Sequence, residues 1–126
     1  MPHPLEHGSA ARPLGLKEAD ALAEAMRAFG TGSRLRLLWS MLSCERSVEE
    51  LAEGSGLTPS AASQQLRLLR QARLVAVRRE GRHAYYRLHD HHVADLLAAI
   101  RHHHEHVYPP QPTFSDESAR RSAVRG

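Results

Sequence analysis

Two short helices with explicit start and stop signals lie in the middle of the chain, and they constrain the fold more than any other stretch. The segment 47–50 (SVEE) has the form of a capping box, in which the serine caps free helix amides and the last glutamate reaches back. The segment 54–56 (GSG) predicts a turn, after which Thr58 caps a second helix that Pro59 begins. A short helix, a glycine-containing turn and a capped second helix together predict a helix-turn-helix.

The second helix of this pair has one apolar face and one polar face. Ala62, Leu66 and Leu69 recur at the helical period and are predicted to face the core. The opposite face carries short hydroxyls and an amide near its start, with arginines behind them, which suits a helix lying in the major groove of DNA. An ordinary solvated face is the alternative. The predicted DNA contacts on this helix are Ser60, Ser63, Gln64, Arg67 and Arg70.

A basic β-hairpin is predicted directly after this helix. The segments 74–79 (LVAVRR) and 83–88 (HAYYRL) are β-prone, and the segment 80–82 (EGR) between them reads as the connecting turn. Such a hairpin would form a wing that touches the phosphate backbone or the minor groove. Its predicted DNA contacts are Arg78, Arg79 and Arg82.

The charge distribution supports a nucleic-acid partner. Residues 58–88 contain seven arginines and only one acidic residue, whereas the whole chain carries a formal net charge of +3. A concentrated basic region on a near-neutral body is typical of a polyanion binder. No apolar run reaches 18 residues, so we expect a cytoplasmic protein without a membrane partner. The single Cys44 excludes an intrachain disulfide and is expected to be buried.

Two further helices are predicted before the helix-turn-helix, in a domain spanning residues 17–107. The first, over residues 17–29, carries an apolar stripe of Ala21, Leu22, Ala25, Met26 and Phe29. The second is expected to begin after a Ser33 cap and to point Leu35, Leu38, Trp39 and Leu42 inward. Residues 1–16 are expected to form a flexible N-terminal tail, and residues 108–126 a disordered C-terminal one.

The segment 90–106 predicts an amphipathic last helix that holds six of the ten histidines in the chain. His92 and His103 lie within about 20° of the same helix face, but roughly 16 Å apart along the axis. A metal ion bound by imidazole nitrogens at about 2 Å cannot reach both on one helix.

A second copy of the helix, running antiparallel to the first, would bring ligands from the two ends together. Asp90 and His92 of one chain would then face His103 and His106 of its partner, and a twofold axis would generate two such sites. The alternative is that Asp90 only caps the helix and that the histidines are solvated, or favour the helix dipole when protonated.

The element order, with the segment 59–88 at its centre, resembles the ArsR/SmtB family of winged-helix metal sensors over about residues 17–107. The most specific parts are SxxSxxLxxL from Ser60 to Leu69, the Arg-Gly-Arg-type hairpin, and DHHV at 90–93. The resemblance implies a mainly α fold with a small β-hairpin, a winged helix-turn-helix. It also implies a homodimer joined through the first and last helices and a palindromic operator in double-stranded DNA.

The resemblance also implies where a metal would bind. One branch of the family uses cysteines in the third helix, but the segment 47–51 reads SVEEL here and lacks them. Another branch uses the last helix, and the residues at the matching positions are Asp90, His92, His103 and His106. The final histidine resembles the nickel- and cobalt-sensing members, in which an N-terminal residue such as His3 can complete the coordination. The implied cofactor is Ni(II) or Co(II), with Zn(II) also suited to nitrogen and oxygen donors.

The sequence therefore predicts a transcriptional repressor that is released from its operator by metal binding between the last helices of a dimer. One alternative is a DNA-binding regulator that does not sense metal itself, being constitutive or acting with a metal-binding co-regulator. Another is a metal-buffering protein. An enzyme is not expected, because the chain has no nucleophile motif and no glycine-rich phosphate loop.

Overall fold

The computed structural model describes residues 11–111, and the chain divides into two compact units between Asp90 and His91. Within the described residues, the first unit contains four helices and three strands, and the second contains one helix. This is the mainly α, winged helix-turn-helix architecture that was predicted. In chain order the elements are α1 (Leu16–Arg27), α2 (Gly32–Ser40), β1 (Arg46–Ser47), α3 (Val48–Ser55), α4 (Pro59–Gln71), β2 (Val75–Glu80), β3 (His83–Leu88) and α5 (His91–Val107).

The core of the first unit lies where α2, α3 and α4 pack together against the sheet. The predicted inward face of α4 is confirmed, since Ala62, Leu66 and Leu69 are all 0% exposed. The buried Ser55 keeps its hydroxyl satisfied by donating to the Leu51 carbonyl at 2.6 Å. The other buried side chains of this unit are Leu37, Leu38, Met41, Leu51, Ala52, Val75 and Tyr86.

The turn between α3 and α4 is fixed by caps at both of its ends. Gly56 adopts the left-handed conformation at φ 74°, and the following Leu57 amide donates to the Ala52 carbonyl at 3.0 Å. This is a Schellman-type helix end, which glycine adopts without a steric cost. The Thr58 hydroxyl then accepts from the Ala61 amide at 3.1 Å to start α4. The predicted turn and cap are both present.

The predicted hairpin is confirmed, but the sheet has a third strand that the sequence analysis missed. The strand order is β1-β3-β2, and the two-residue β1 pairs antiparallel with β3 through Arg46 and Ser47. The hairpin loop holds two residues, Gly81 and Arg82, because Glu80 pairs with His83 within the ladder. The predicted three-residue connection was therefore one residue too long. Gly81 provides the positive φ of 60° that this tight turn requires.

The start and the inward face of α2 differ from the prediction. Thr31, and not Ser33, caps the helix by accepting from the Arg34 amide at 3.2 Å. This earlier start places Gly32 in the first turn of the helix. The inward face also differs in part: Leu38 is buried as predicted, and so are Leu37 and Met41, while the predicted Leu42 is exposed, and Leu35 and Trp39 are only partly buried.

Cys44 also departs from its prediction. It lies in the connection between α2 and β1 and is exposed, not buried. A small apolar side chain in a surface connection has no core to enter, so the general preference of cysteine for burial does not decide its position.

The described part of the second unit holds one continuous helix over residues 91–107, which confirms the predicted last helix. Val93 and Leu97 are buried, whereas Leu96 and Ile100 are 44% and 48% exposed. None of the described helices has both the length and the hydropathy that crossing a lipid bilayer requires. Residues 1–10 and 112–126 lie outside the described residues, and so do His3 and most of the two predicted tails.

Candidate nucleic-acid interface and candidate metal ligands

Helix α4 presents its predicted DNA-contacting residues on the face opposite the core. Four of the five are exposed, and only Ser63 is partly buried. The buried stripe fixes the rotation of α4 about its axis, and the Thr58 cap fixes where it starts. Its polar face therefore points in one defined direction. That face offers hydroxyl and amide groups near the N-terminal end and guanidinium groups farther along. The exposed residues are Ser60, Gln64, Arg67 and Arg70.

The wing does not present its three predicted arginines equally. Arg79 and Arg82 are exposed, and Arg82 belongs to the turn itself. Arg78 is also exposed, but it donates to two carboxylates: Nη2 lies 2.5 Å from Glu45 Oε1, and Nη1 lies 2.6 Å from Glu80 Oε2. Its guanidinium also lies 4.8 Å from the centre of the Tyr85 ring. Arg78 thus connects the wing to the segment that precedes β1.

These contacts alter the titration of the groups involved. The hydrogen bond from Arg78 lowers the pKa of Glu45, and the Coulomb attraction of the same guanidinium acts in the same direction. The hydrogen bonds to Glu45 and Glu80 raise the pKa of Arg78 further above its ordinary value. Glu45 and Arg78 therefore remain ionised at neutral pH, and part of the positive charge of Arg78 is neutralised locally.

Three residues near this interface were not singled out by sequence reasoning. Glu45 lies 33 positions before its partner Arg78, so no local pattern could connect the two. Arg73 ends α4 with a φ of +60°, a conformation that is uncommon for a side chain of this size. Gln65 accepts a hydrogen bond from Arg34 of α2. For Arg34 and Arg73, the sequence shows a positive charge, but not the Arg34–Gln65 hydrogen bond or the backbone conformation of Arg73.

The four candidate metal ligands are all exposed, and His92, His103 and His106 lie on one uninterrupted helix. The Asp90 carboxylate lies 2.9 Å from Nδ1 of His89, a neighbour that could orient it as a ligand. The ring centroids of His91 and His92 lie 4.1 Å apart, with the rings tilted by 33°. Within residues 11–111 of one chain, no three potential ligands lie close enough together to hold a metal ion. As a donor set, exposed imidazoles and a carboxylate fit a divalent first-row transition metal.

Comparison with known proteins agrees with this geometry. Residues 31–77 match the family described as bacterial regulatory protein, arsR family. The HTH-type transcriptional regulator NmtR of Mycobacterium tuberculosis is 41% identical over 96 residues, which cover 76% of this chain and 80% of that protein.

Two solved structures share the fold. A homodimeric winged helix-turn-helix DNA-binding domain from Mycobacterium bovis is 34% identical, with a TM-score of 0.64 over 74% of this chain and 90% of that one. The antimony-specific transcriptional repressor AntR is 27% identical, with a TM-score of 0.69 over 79% of this chain and 90% of that one. The chain therefore belongs to the ArsR family and is a DNA-binding transcriptional regulator, not an enzyme.

Proposed function

We propose that this regulator is a homodimeric repressor that leaves its operator when Ni(II), Co(II) or Zn(II) binds between the last helices of the dimer. The observation that carries the proposal is the placement of exposed donors on α5. His103 and His106 lie near one end of a continuous helix, and His92 lies near the other, with Asp90 just before it. The repressor AntR, named as antimony-specific, supports repression controlled by a metal or metalloid within the same fold.

The spacing of the donors supports a site shared by two chains. His103 lies eleven positions after His92 on the helix, or roughly 16 Å along its axis. A single ion therefore cannot join both ends of one α5. Asp90 and His92 of one chain with His103 and His106 of the partner subunit would supply three imidazoles and one carboxylate. His3, which lies outside the described residues, is a further candidate ligand.

Exposed apolar side chains support the homodimer. Leu22 and Met26 on α1 are 50% and 68% exposed, and no residue of α1 is buried. Leu96 and Ile100 on α5 are about half exposed. Apolar residues recurring on one helix face are typical of a surface that another chain covers. The Mycobacterium bovis domain, which shares this fold, is homodimeric.

A twofold dimer would offer two copies of α4 and of the wing to DNA, so we propose a palindromic operator. Ser60, Ser63 and Gln64 would contact bases or nearby phosphates, and Arg67 and Arg70 would hold the backbone. Arg79 and Arg82 of the wing would add contacts to the backbone or minor groove. Arg78, which is engaged by Glu45 and Glu80, would mainly hold the wing in place.

A bound ion would link two α5 helices by coordination. It can lower operator affinity only if it favours a dimer geometry that DNA does not. A coupling free energy of about 1–3 kcal/mol is typical for such regulation. The chain itself holds its donor side chains at fixed positions along the axis of α5.

A second function is a regulator of the same DNA-binding type that does not sense metal alone. The separation of the donors within one chain favours it, because the described residues of a monomer contain no group of three ligands. Such a protein would be constitutive or would act with a metal-binding co-regulator. A metal-buffering protein has less support, since it would not need the capped helix pair and the basic wing.

Metal titration of the protein–operator complex tests the proposal. Fluorescence anisotropy of labelled operator DNA should show release by at least one of Ni(II), Co(II) and Zn(II). His103→Ala should abolish the release without changing operator affinity in the absence of metal. His102→Ala, one position away on another helix face, is the matched control and should retain it. Unchanged DNA affinity at saturating metal would eliminate direct sensing and favour the second function.

A further inference from the structure

The side chain of Arg34, which belongs to α2, bridges two other helices of the first unit, α1 and α4. From α2, its Nε donates to Oε1 of Gln65 on α4 at 2.9 Å. Its Nη1 donates to the carbonyl of Arg27, the last residue of α1, at 3.1 Å. The Arg34 amide donates to the capping hydroxyl of Thr31 at 3.2 Å, which fixes the start of α2. A planar guanidinium with several donors suits such a bridge, whereas lysine has only a point charge.

Helix α1 depends on this bridge because it contributes nothing to the core. None of its residues is buried. A cleft of about 370 Å³ lies at the junction of α1, α2 and α4, and its lining includes the small side chains of Ala25, Ala28 and Ala72 together with Arg34. Leu68 and Gln71 of α4 line the same cleft. Because no residue of α1 is buried, the hydrogen bonds of Arg34 add a directional link between α1, α2 and α4.

The partner on α4 is well placed to control the recognition surface. Gln65 follows Gln64, which we predict to contact bases, and precedes the fully buried Leu66. Gln65 itself is partly buried. A hydrogen bond to this position opposes rotation of α4 about its own axis, and such a rotation would move Gln64 relative to a base edge.

We propose that Arg34 is a positioning residue for operator recognition, which holds α4 at a fixed distance and rotation from α1. The inference rests on the proposed homodimer. If α1 forms part of the dimer interface, the bridge carries the dimer geometry to the recognition helix. The spacing between operator half-sites that the dimer accepts then depends on Arg34, although Arg34 contacts no base.

A direct phosphate contact by Arg34 makes a different prediction. Each phosphate that a protein neutralises adds about 0.9 to the slope of log affinity against log salt concentration. A phosphate contact would therefore weaken binding to all sequences and reduce that slope. A positioning residue acts on the specific operator and leaves the slope unchanged.

The experiment uses the full chain and an operator selected from random duplex DNA by the wild-type protein. Operator affinity is measured for the selected half-site spacing and for spacings one base pair longer and shorter. The variants are Arg34→Met, Gln65→Met and their combination. Arg36→Met is the matched control, because Arg36 is an exposed arginine on the same helix whose hydrogen bond to the Gly54 carbonyl is long, at 3.4 Å.

Gln65→Met should lower affinity for the selected spacing by about tenfold, the effect of losing one charge-assisted hydrogen bond. Arg34→Met, which also loses the bond to the Arg27 carbonyl, should lower it at least as much. Both should also reduce discrimination between spacings, and the double variant should be no weaker than Arg34→Met. Arg36→Met should keep the discrimination. Nonspecific binding and the salt slope of Arg34→Met should match those of Arg36→Met.

Two results would overturn the inference. One is wild-type spacing discrimination in both single variants. The other is a salt slope reduced by about 0.9 in Arg34→Met alone, with Gln65→Met like wild type, which would make Arg34 a phosphate contact. If circular dichroism shows that Arg34→Met is unfolded, Gln65→Met alone tests the inference, since it removes the Arg34–Gln65 hydrogen bond from the α4 side. If the wild-type protein selects no operator, the proposed function fails, and this inference fails with it.

Discussion

Arg78 and Glu45 are joined by a two-pronged ion pair, with Nη2 at 2.5 Å and Nε at 3.2 Å from the same carboxylate oxygen. Arg78 lies two residues before the end of β2, and Glu45 lies in the segment that follows α2. The pair therefore ties the wing to the helical part of the fold. We propose that Arg78, which is predicted to contact DNA, also acts as a strut for the wing that carries Arg79 and Arg82.

This strut predicts an effect of Glu45→Gln that opposes simple electrostatics. Removing an acidic charge near DNA should tighten binding to every sequence. Loosening the wing should instead weaken specific binding, and we expect operator affinity to fall about threefold, with nonspecific binding unchanged or slightly tighter. Electrophoretic mobility shifts with operator and random DNA measure both, and Glu53→Gln on α3 is the control. Tighter operator binding by Glu45→Gln would indicate that Arg78 itself contacts DNA.

The capping box predicts a pH dependence of stability. The hydrogen bond from the Ser47 amide lowers the pKa of Glu50 below its ordinary value of 4.5, and the bond to the Ser47 side chain adds to this. A lowered folded-state pKa means that the ionised carboxylate stabilises the fold above about pH 4.5, and that this contribution is lost as the pH falls through the folded value.

Glu50→Gln tests that dependence, since glutamine keeps the capping geometry but does not titrate. Urea unfolding between pH 7 and pH 3 should show a smaller loss of stability in Glu50→Gln than in wild type. Glu49→Gln, one residue away and outside the box, should lose stability as wild type does. Identical pH profiles for all three proteins would contradict a role of ionised Glu50.

The α4 core stripe predicts a large contrast between neighbouring leucines. Leu66 is 0% exposed, whereas Leu68 is 42% exposed. Leu66→Ala should lower the free energy of unfolding by about 2–5 kcal/mol, because it removes buried methyl groups and leaves a cavity. Leu68→Ala should cost under about 1 kcal/mol. Chemical denaturation compares the two, and similar losses would mean that Leu68 is covered in solution.

The end of α4 predicts a stabilising substitution. Arg73 has a φ of +60°, and its amide donates to the Arg70 carbonyl at 2.9 Å. A side chain in this conformation costs roughly 1 kcal/mol that glycine avoids, although glycine gains entropy in the unfolded chain. Arg73→Gly should therefore leave thermal stability unchanged or raise it, while Arg70→Gly, inside the helix, should lower it by about 1 kcal/mol. A marked loss in Arg73→Gly would show that the arginine side chain stabilises the fold.

The helix-turn-helix was predictable because its signals are local. Ser47, Glu50, Gly56 and Thr58 each act within one helical turn, and each takes its predicted role in the structure. The α4 core stripe was predictable for a similar reason: a helix has one period, and only one register of that period places every leucine of the stripe inward.

The features that were missed depend on distant partners or on competing caps. Strand β1 has only two residues and exists because β3 offers an edge beside it. The Glu45–Arg78 pair joins residues 33 positions apart, so the sequence shows two charges and not their contact. For α2, both Thr31 and Ser33 are good caps, and Thr31 is the one used, whereas the inward face follows from packing against α3 and α4. The metal ligands stay a prediction, since the proposed site takes its donors from two chains.

The exposed apolar residues of α5 provide the last prediction, which concerns the dimer. Ile100 is 48% exposed within one chain, so Ile100→Glu should cost the monomer little stability. If a second copy covers this face, the same substitution buries a charge at the interface and should raise the dimer dissociation constant at least tenfold. Sedimentation equilibrium measures that constant directly. Ala98→Glu is the control, because two residues along a helix turn the side chain by about 200° to the opposite face.

Comparing Ile100→Glu with Ala98→Glu distinguishes a loss of the dimer from a loss of the DNA-binding fold. Ile100→Glu should also lose operator affinity, since one half-site alone supplies only part of the binding free energy, while Ala98→Glu keeps it. Both variants should retain the circular dichroism of wild type. If Ile100→Glu sediments as wild type does, α5 does not form the interface through this face. That result would contradict a dimer that packs α5 against α5 through Ile100, the contact on which direct metal sensing at Asp90, His92, His103 and His106 is proposed to depend.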